Sequence, residues 1–198
     1  MSNHQNSPTT DQPVAFLPVY GQNGGNATLI YFKEGHTVED LRSTNAVLRS
    51  ICRQYNVDLI QMRRNYRSYL GCELFTPLVF SADMIYIGLK SRKPFSQNDG
   101  ATGYINLKDV LKINQAEDDS KVQCYIYLTG GQIISSYTSL AAFNKRLVNG
   151  SLARERFCTL QDRSPKGPFN NGRYDQQASN HINDLLKLLA DKCFPKDC

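Results

Sequence analysis

The segment of the sequence with the clearest binding chemistry is a cationic run that carries an amide in its middle. Residues 59–70 (LIQMRRNYRSYL) hold three Arg and no acidic residue. Guanidinium groups bind phosphate, and Arg and Asn are side chains that enter narrow A·T-rich minor grooves. If the run is extended, Arg63, Asn65 and Arg67 lie on one side of a strand. We expect these three residues to insert into a groove of duplex DNA.

Two Tyr in the same run support an alternative. Tyr66 and Tyr69 could stack on unpaired bases, which would make the protein an RNA-binding or single-strand-binding protein. Packing within the fold is the other interpretation of each ring. A third interpretation is a protein-interaction or adaptor module, in which the basic residues are incidental.

The net charge of +5 is concentrated in two segments. Residues 41–70 contain six Arg and one Asp, and residues 145–174 contain seven Lys or Arg and two acidic residues. Each segment is therefore +5, and the remainder of the chain is net negative. Locally basic surfaces favour anionic polymers. The residues that we expect to contact phosphate are Arg49, Arg53, Arg154, Arg156 and Arg163.

Enzyme signatures are missing from the sequence. It contains no GxxxxGK[ST], GxGxxG or GxSxG motif, and no His at metal-ligand spacing from a Cys. We therefore expect a protein without enzyme activity, cofactor or metal. Six Cys with no CxxC pair and no export signal favour reduced thiols and a cytoplasmic location. No apolar run is long enough to span a membrane.

The pattern along the chain predicts a strand-rich α+β fold built from antiparallel hairpins and a meander. Strands are predicted at 14–20, 27–32, 74–80 (an edge strand) and 84–89 (a central strand), with the meander between 104 and 137. Helices are predicted at 37–55, with Thr37 as N-cap, at 139–148, and at 175–194 as a C-terminal amphipathic helix. Because a hairpin precedes the first helix directly, a helix-turn-helix motif is disfavoured.

The predicted organisation has four parts. A disordered tail covers residues 1–12, and a DNA-binding α+β domain covers 13–163, with two sub-lobes (13–95 and 103–163) as an alternative. A loop at 164–174 then leads to a C-terminal helix at 175–198. This Leu-rich helix is a candidate for self-association, and a role within the core is the other interpretation.

The order of short motifs resembles a known family. The motifs are 14–18 followed by a Gly turn, RSICR at 49–53, the basic run to Tyr69, MIYIGL at 84–89, SRKP at 91–94, Tyr104-Ile105, Gly130-Gly131, SYTSL at 136–140 and FCTLQDR at 157–163. This succession is similar to the ComK family of bacterial competence transcription factors. The meander and short helix at 103–148 also resemble the LytTR DNA-binding domain, to a lesser degree.

The ComK resemblance implies a cytoplasmic activator of DNA-uptake genes. Such proteins act as dimers or tetramers on AT-rich boxes through the minor groove. They work with RNA polymerase, and adaptor-assisted proteolysis controls their level. The 96–103 loop looks longer than the family pattern, and the Cys content is high, which leaves the DNA site and the regulatory partner open.

Overall fold

A computed structural model describes residues 12–96, 99–117 and 121–162. The strands are β1 (Ala15–Tyr20), β2 (Asn26–Tyr31), β3 (Thr37–Asp40), β4 (Leu78–Ser81), β5 (Met84–Lys90), β6 (Thr102–Asn106), β7 (Val110–Gln115), β8 (Cys124–Leu128) and β9 (Ile133–Ser136). The helices are α1 (Thr44–Gln54), α2 (Leu59–Leu70) and α3 (Leu140–Asp162). The mixed α+β fold with antiparallel hairpins and a meander is confirmed. Among the helices in these ranges, none is long and apolar enough to cross a membrane.

The larger sheet has six antiparallel strands in the order β3-β2-β1-β6-β5-β4. The predicted first hairpin is β1 and β2, and the apolar strand β5 lies inside the sheet, with β4 at its edge. β6 pairs with both β1 and β5 and so joins the two halves. The division into sub-lobes at 13–95 and 103–163 is therefore not what the structure shows, because β6 belongs to the same sheet as β1 and β5.

The smaller sheet is the predicted meander, β7-β8-β9. In β8 the side chains of Cys124, Ile126 and Leu128 are buried while those between them are half-buried, as the two-residue period of a strand requires. These side chains join Leu17 and Ile105 of the larger sheet in one apolar cluster. The meander thus covers one face of the larger sheet.

The opposite face of the larger sheet is covered by helices. Val47 and Leu48 of α1 and Met62 and Tyr66 of α2 pack in a second apolar cluster with Phe16 of β1. Helix α3 contributes to both clusters, with Phe143 in the first and Ala153 in the second. α3 therefore links the meander side of the sheet to the helical side.

The predicted helix at 37–55 is wrong at its start. Thr37–Asp40 forms the edge strand β3, in which Val38 pairs with Ile30 of β2. The sheet edge supplies backbone partners that outweigh the local helix signal of Thr37 with two following acidic residues. Helix α1 instead begins after Ser43, whose hydroxyl accepts a hydrogen bond from the Ala46 N–H at 3.4 Å.

The segment 59–70, whose residues are assigned to sides on the condition that it is extended, is helix α2. Asp58 caps the helix, and its carboxylate accepts hydrogen bonds from the N–H groups of Ile60 and Gln61 at 2.8 and 3.0 Å. Gly71 ends it in the left-handed conformation, with φ 60°. Both cap signals are local, and they decide the conformation where the hydrophobic periodicity was ambiguous.

The short helix predicted at 139–148 continues to Asp162 as α3. Gly150 does not end it, because this glycine is a buried packing position. A Cβ on Gly150 would lie 3.0 Å from Ile87 Cγ2 and 3.3 Å from Leu107 Cδ1. The missing side chain lets α3 approach β5 closely. The predicted loop at 164–174, the helix at 175–198 and all of the predicted tail except Gln12 lie outside the described residues.

Candidate nucleic-acid interface

Two consecutive helices carry five Arg and no acidic residue. Helix α1 contributes Arg49 and Arg53, and α2 contributes Arg63, Arg64 and Arg67. All except Arg63 are exposed. We call the four exposed residues, Arg49, Arg53, Arg64 and Arg67, the arginine face.

The arginine face is oriented by the apolar residues that each helix buries. Leu48 and Cys52 of α1 are buried against the sheet. At about 100° per residue, Arg49 lies about 100° from Leu48 and Arg53 about 100° from Cys52, so both flank the buried side and stay exposed. Met62 and Tyr66 orient α2 in the same way. Both helices pack in the same apolar cluster on one face of the sheet, and their exposed Arg side chains lie on the parts of the helices that this packing leaves open to solvent.

The connection between α1 and α2 is a tight turn of four residues. The N–H of Asn56 donates to the Arg53 carbonyl at 3.2 Å, and the N–H of Val57 donates to the Cys52 carbonyl at 2.9 Å. Asn56 has φ 52°. This is a Schellman ending with Asn in the left-handed position, and Asp58 then caps α2 at once. The sequence disfavours a helix-turn-helix because a hairpin precedes the helix predicted at 37–55. The second helix, α2, follows α1 instead of preceding it, so that argument does not cover the α1–α2 pair.

Arg63 differs from its neighbours because it is tied into the fold. It is half-buried, and its Nη2 donates a hydrogen bond to the Tyr104 hydroxyl at 3.1 Å. The Tyr104 ring stacks on Phe16, with centroids 5.1 Å apart. Burial raises the pKa of Tyr104, and the nearby Arg63 guanidinium opposes that shift. Arg63 therefore anchors α2 to the sheet in this structure.

Asn65 is exposed, but it does not share a side with Arg63 or Arg67. In a helix Arg63 and Arg67 are about 40° apart, while Asn65 lies about 160° from each of them. The prediction that these three residues line one side of the segment is therefore wrong. Arg64, which the strand assignment placed on the opposite side, belongs to the arginine face instead. A helical assignment of the run would have found it.

The two basic segments meet in the structure. The guanidinium carbon of Arg156 in α3 lies 4.2 Å from the centroid of the Tyr69 ring in α2, within the range of a cation–π contact. Arg154 is half-buried two residues earlier in α3, which places it about 160° from Arg156 around the helix. The arginine face thus adjoins the last turns of α3. Arg163 lies outside the described residues.

One cation of the basic segment 145–174, Arg146, makes hydrogen bonds within the fold. Arg146 is half-buried, and its Nη1 donates to the Gly88 carbonyl at 2.9 Å and to the Thr138 hydroxyl at 3.2 Å. Its guanidinium carbon lies 3.6 Å from the Phe75 ring centroid. Burial lowers the pKa of Arg146 to about 10. The guanidinium of this half-buried cation is therefore bound to the backbone of β5.

The aromatic residues predicted to stack on bases do not form an open pair. Tyr66 is 8% exposed and packs in the core, where burial raises its pKa. Tyr69 is 44% exposed and carries Arg156 over its ring. The most exposed aromatic side chain in the described ranges is instead Phe95, at 88%. Sequence reasoning missed it, although its place directly after SRKP at 91–94 was a usable signal.

The arginine face is not neutralised within the described residues. The single ion pair found there joins Arg42 to Asp40 at 2.6 Å, and it lies before α1. The side-chain hydrogen bond from Arg42 lowers the pKa of Asp40. In those same ranges no group of three or more His, Cys, Asp or Glu could hold a metal ion, and Cys52, Cys72, Cys124 and Cys158 are free thiols.

An unneutralised set of guanidinium groups on the outer side of two packed helices can bind a row of phosphates. No family model, no curated protein and no solved structure matches this chain.

Proposed function

We propose that this protein is a non-enzymatic DNA-binding protein whose arginine face lies against the phosphate backbone of a duplex. The observation that carries the proposal is the pair of adjacent helices with five Arg, no acidic residue and no ion pair among the described residues. Arg156 extends this surface, because α3 meets α2 at the Tyr69 ring. Arg154 lies about 160° from Arg156 around α3 and is a separate candidate for phosphate contact.

The helical placement of the Arg residues favours a duplex target. Side chains on a packed helix have fixed spacing: Arg49 and Arg53 are four residues apart in α1, and Arg64 and Arg67 are three apart in α2. The four-residue turn places α2 directly after α1, so the Arg residues of both helices can contact the backbone of one duplex.

The ComK resemblance supplies the finer part of the proposal. It suggests a cytoplasmic transcriptional activator of DNA-uptake genes that binds AT-rich boxes mainly through the minor groove. It also suggests a homo-oligomer that works with RNA polymerase and is controlled by a proteolytic adaptor. Arg67 remains the first candidate for minor-groove insertion, since narrow A·T-rich grooves attract Arg.

The test is a fluorescence anisotropy titration with an A-tract duplex, a GC duplex and a single strand at several salt concentrations. We expect a steep loss of affinity with salt and a preference for the A-tract duplex that persists at physiological salt. A small ligand of the minor groove is then added as a competitor, and displacement of the protein from the A-tract duplex indicates that the protein binds in the minor groove. Equal affinity for all three probes would contradict sequence preference, and tighter binding to the single strand would support the alternative target.

A variant of the arginine face separates this proposal from general basicity. Replacing Arg49, Arg53, Arg64 and Arg67 by Gln removes four phosphate contacts, so the slope of log K against log salt should fall by about 3.6. The matched control replaces exposed Lys33 and Lys112, which lie before β3 and in β7, by Gln. An unchanged slope in the arginine variant, or no nucleic-acid binding at low salt, would refute the proposal. The latter result would favour a protein-interaction module.

Arg154 and Arg156 have a separate expected effect. If both contact phosphate and neither reads bases, replacing both by Ala should weaken all duplexes alike and flatten the salt dependence. The ratio of A-tract to GC affinity should stay unchanged. A change in that ratio would show that α3, and not α2, reads the sequence.

A further inference from the structure

A second cationic surface surrounds a cleft of about 580 Å³ at the end of β5. Four cations line it, and none of the described lining residues is acidic: Lys90, Arg92, Lys93 and Lys121. Tyr137 and Ser139, which precede α3, complete the wall. The positive end of the α3 dipole therefore also faces this region. The cleft is not part of the arginine face.

The segment beside the cleft presents an aromatic ring on a built support. The Phe95 ring stacks on Tyr20 with centroids 4.6 Å apart and an interplanar angle of 26°. The Arg92 guanidinium carbon lies 4.1 Å from the same Tyr20 ring. Arg92 also donates from Nε to the Gly100 carbonyl at 2.6 Å. Phe95 is nonetheless 88% exposed.

Hydrogen bonds hold the backbone of Phe95 in place. The Tyr20 hydroxyl accepts from the Phe95 N–H at 2.8 Å and donates to the Asp99 carboxylate at 2.7 Å. Asp99 also accepts from Asn26 Nδ2 and from the Ser96 N–H, each at 3.0 Å. A largely exposed ring on a hydrogen-bonded support has already lost much of its freedom, so a flat ligand that stacks on it costs little further ordering.

The cleft and the arginine face adjoin through Arg92. This residue also lines a smaller cleft of about 200 Å³ together with Ser43, Thr44 and Asn45 at the start of α1. The residue that supports the Tyr20–Phe95 stack is thus next to the helix that begins the arginine face. Arg92 is the one cation among the described residues that line this smaller cleft, and it also lines the larger cleft with the three Lys residues.

We propose that this cleft binds the phosphate of a nucleotide and that Phe95 stacks on its base. Lysine ammonium groups supply charge for phosphate, and Phe95 directly follows Pro94, which lines the cleft. A cationic groove combined with an exposed aromatic ring is the arrangement that single-stranded nucleic-acid sites use. The nucleotide comes either from an unpaired position in DNA or from the free pool. The first source rests on the proposed function, and the second does not.

The experiment compares Phe95→Ala with the wild-type chain on three probes. These are a fully paired duplex, the same duplex with one unpaired 2-aminopurine, and free adenosine monophosphate. We expect wild type to bind the unpaired-base duplex more tightly than the paired one. Phe95→Ala should weaken that binding about 5- to 150-fold, from the usual magnitude of base–aromatic stacking. Its affinity for the paired duplex should change less than twofold.

Fluorescence of the 2-aminopurine gives a second readout, because stacking on Phe95 quenches it and the variant restores it. Leu74→Ala is the matched control, since Leu74 is also strongly exposed, at 78%. Lys93→Gln with Lys121→Gln should weaken every ligand that uses the cleft. Binding of adenosine monophosphate that depends on the same residues would identify the free pool as a source.

An unchanged affinity and unchanged fluorescence in Phe95→Ala, on all three probes, would overturn the inference. Its failure is distinguishable from failure of the proposed function. If the wild-type chain shows no salt-dependent binding to the paired duplex, the proposed DNA binding by the arginine face is refuted. The adenosine monophosphate measurement uses no duplex and therefore tests only the cleft.

Discussion

Two Arg residues one turn apart in α2 should have opposite roles. Arg63 is half-buried and donates to the Tyr104 hydroxyl, whereas Arg67 is exposed. A hydrogen bond from a charged group to a neutral partner contributes about 1.5–3 kcal/mol when buried. Arg63 keeps some water, so we reduce this to about 1 kcal/mol. Arg63→Gln should therefore lower Tm by about 2–4 °C, and Arg67→Gln should change the unfolding free energy by less than about 0.5 kcal/mol.

DNA binding should show the reverse order. Arg67→Gln removes one phosphate or groove contact, so the slope of log K against log salt should fall by about 0.9. Arg63→Gln should leave that slope unchanged in conditions where the protein is folded. The measurements are urea denaturation for stability and anisotropy at 50–200 mM salt for binding, on the same protein samples.

A double-mutant cycle identifies the source of the stability effect. Tyr104→Phe removes the hydroxyl and keeps the ring on Phe16, so Arg63→Gln combined with Tyr104→Phe should cost no more than Arg63→Gln. The coupling energy should be about 1 kcal/mol. Additive losses would show that Arg63 stabilises α2 by other means. Equal loss of stability from Arg63→Gln and Arg67→Gln would refute the division of roles.

Three further predictions follow from single contacts. Gly103→Ala should cost about 1–3 kcal/mol in urea denaturation because its Cβ would meet Leu17, whereas Gly100→Ala, with open space around it, should not. Arg146→Met should cost about 1–3 kcal/mol by leaving the Gly88 carbonyl without its donor, and it should not alter the salt dependence of DNA binding. Hydrogen bonds from Tyr20 and Asn26 lower the pKa of Asp99. The hydrogen bonds that order Phe95 should therefore be fully formed at a pH above the ordinary Asp pKa of 3.8. They should be lost as the pH falls through the lowered pKa of Asp99 in the folded protein. Ring chemical shifts of Tyr20 report it, and Asp99→Asn should remove the transition.

The strands were predictable because their signals are local and strong. Turn residues bracket the β1–β2 hairpin, and alternation in β8 matches its half-buried position. The errors lie where a local signal competes with a distant partner. Thr37 and the two acids after it resemble a helix start, but β2 offers unpaired backbone groups that convert this stretch to β3. Gly150 resembles a helix stop, but Ile87 and Leu107 occupy the space a side chain would fill.

The candidate site was predictable in composition but not in geometry. The two +5 segments do meet, as the Arg156–Tyr69 contact shows. Which residues share a side depends, however, on whether the segment repeats every two residues, as a strand does, or every 3.6, as a helix does. The polar residues of 59–70 fit both repeats almost equally well. Its caps, Asp58 and Gly71, carried the decisive information. Phe95 was missed because a lone aromatic in a loop has no periodic pattern.

The helical conformation of 59–70 changes what the basic run can do. On a strand, Arg63, Asn65 and Arg67 would enter one groove together and combine charge with base recognition. On α2, Asn65 lies about 160° from Arg67, so one groove cannot receive both. Arg63 and Arg146, moreover, use their guanidinium groups to hydrogen-bond the Tyr104 hydroxyl and the Gly88 carbonyl within the fold. The charge available to DNA is therefore smaller than the two segments suggest, and it is arranged as a backbone-contacting surface. Any base recognition must come from one inserted side chain, from the shape of the duplex, or from Phe95 at the adjoining cleft.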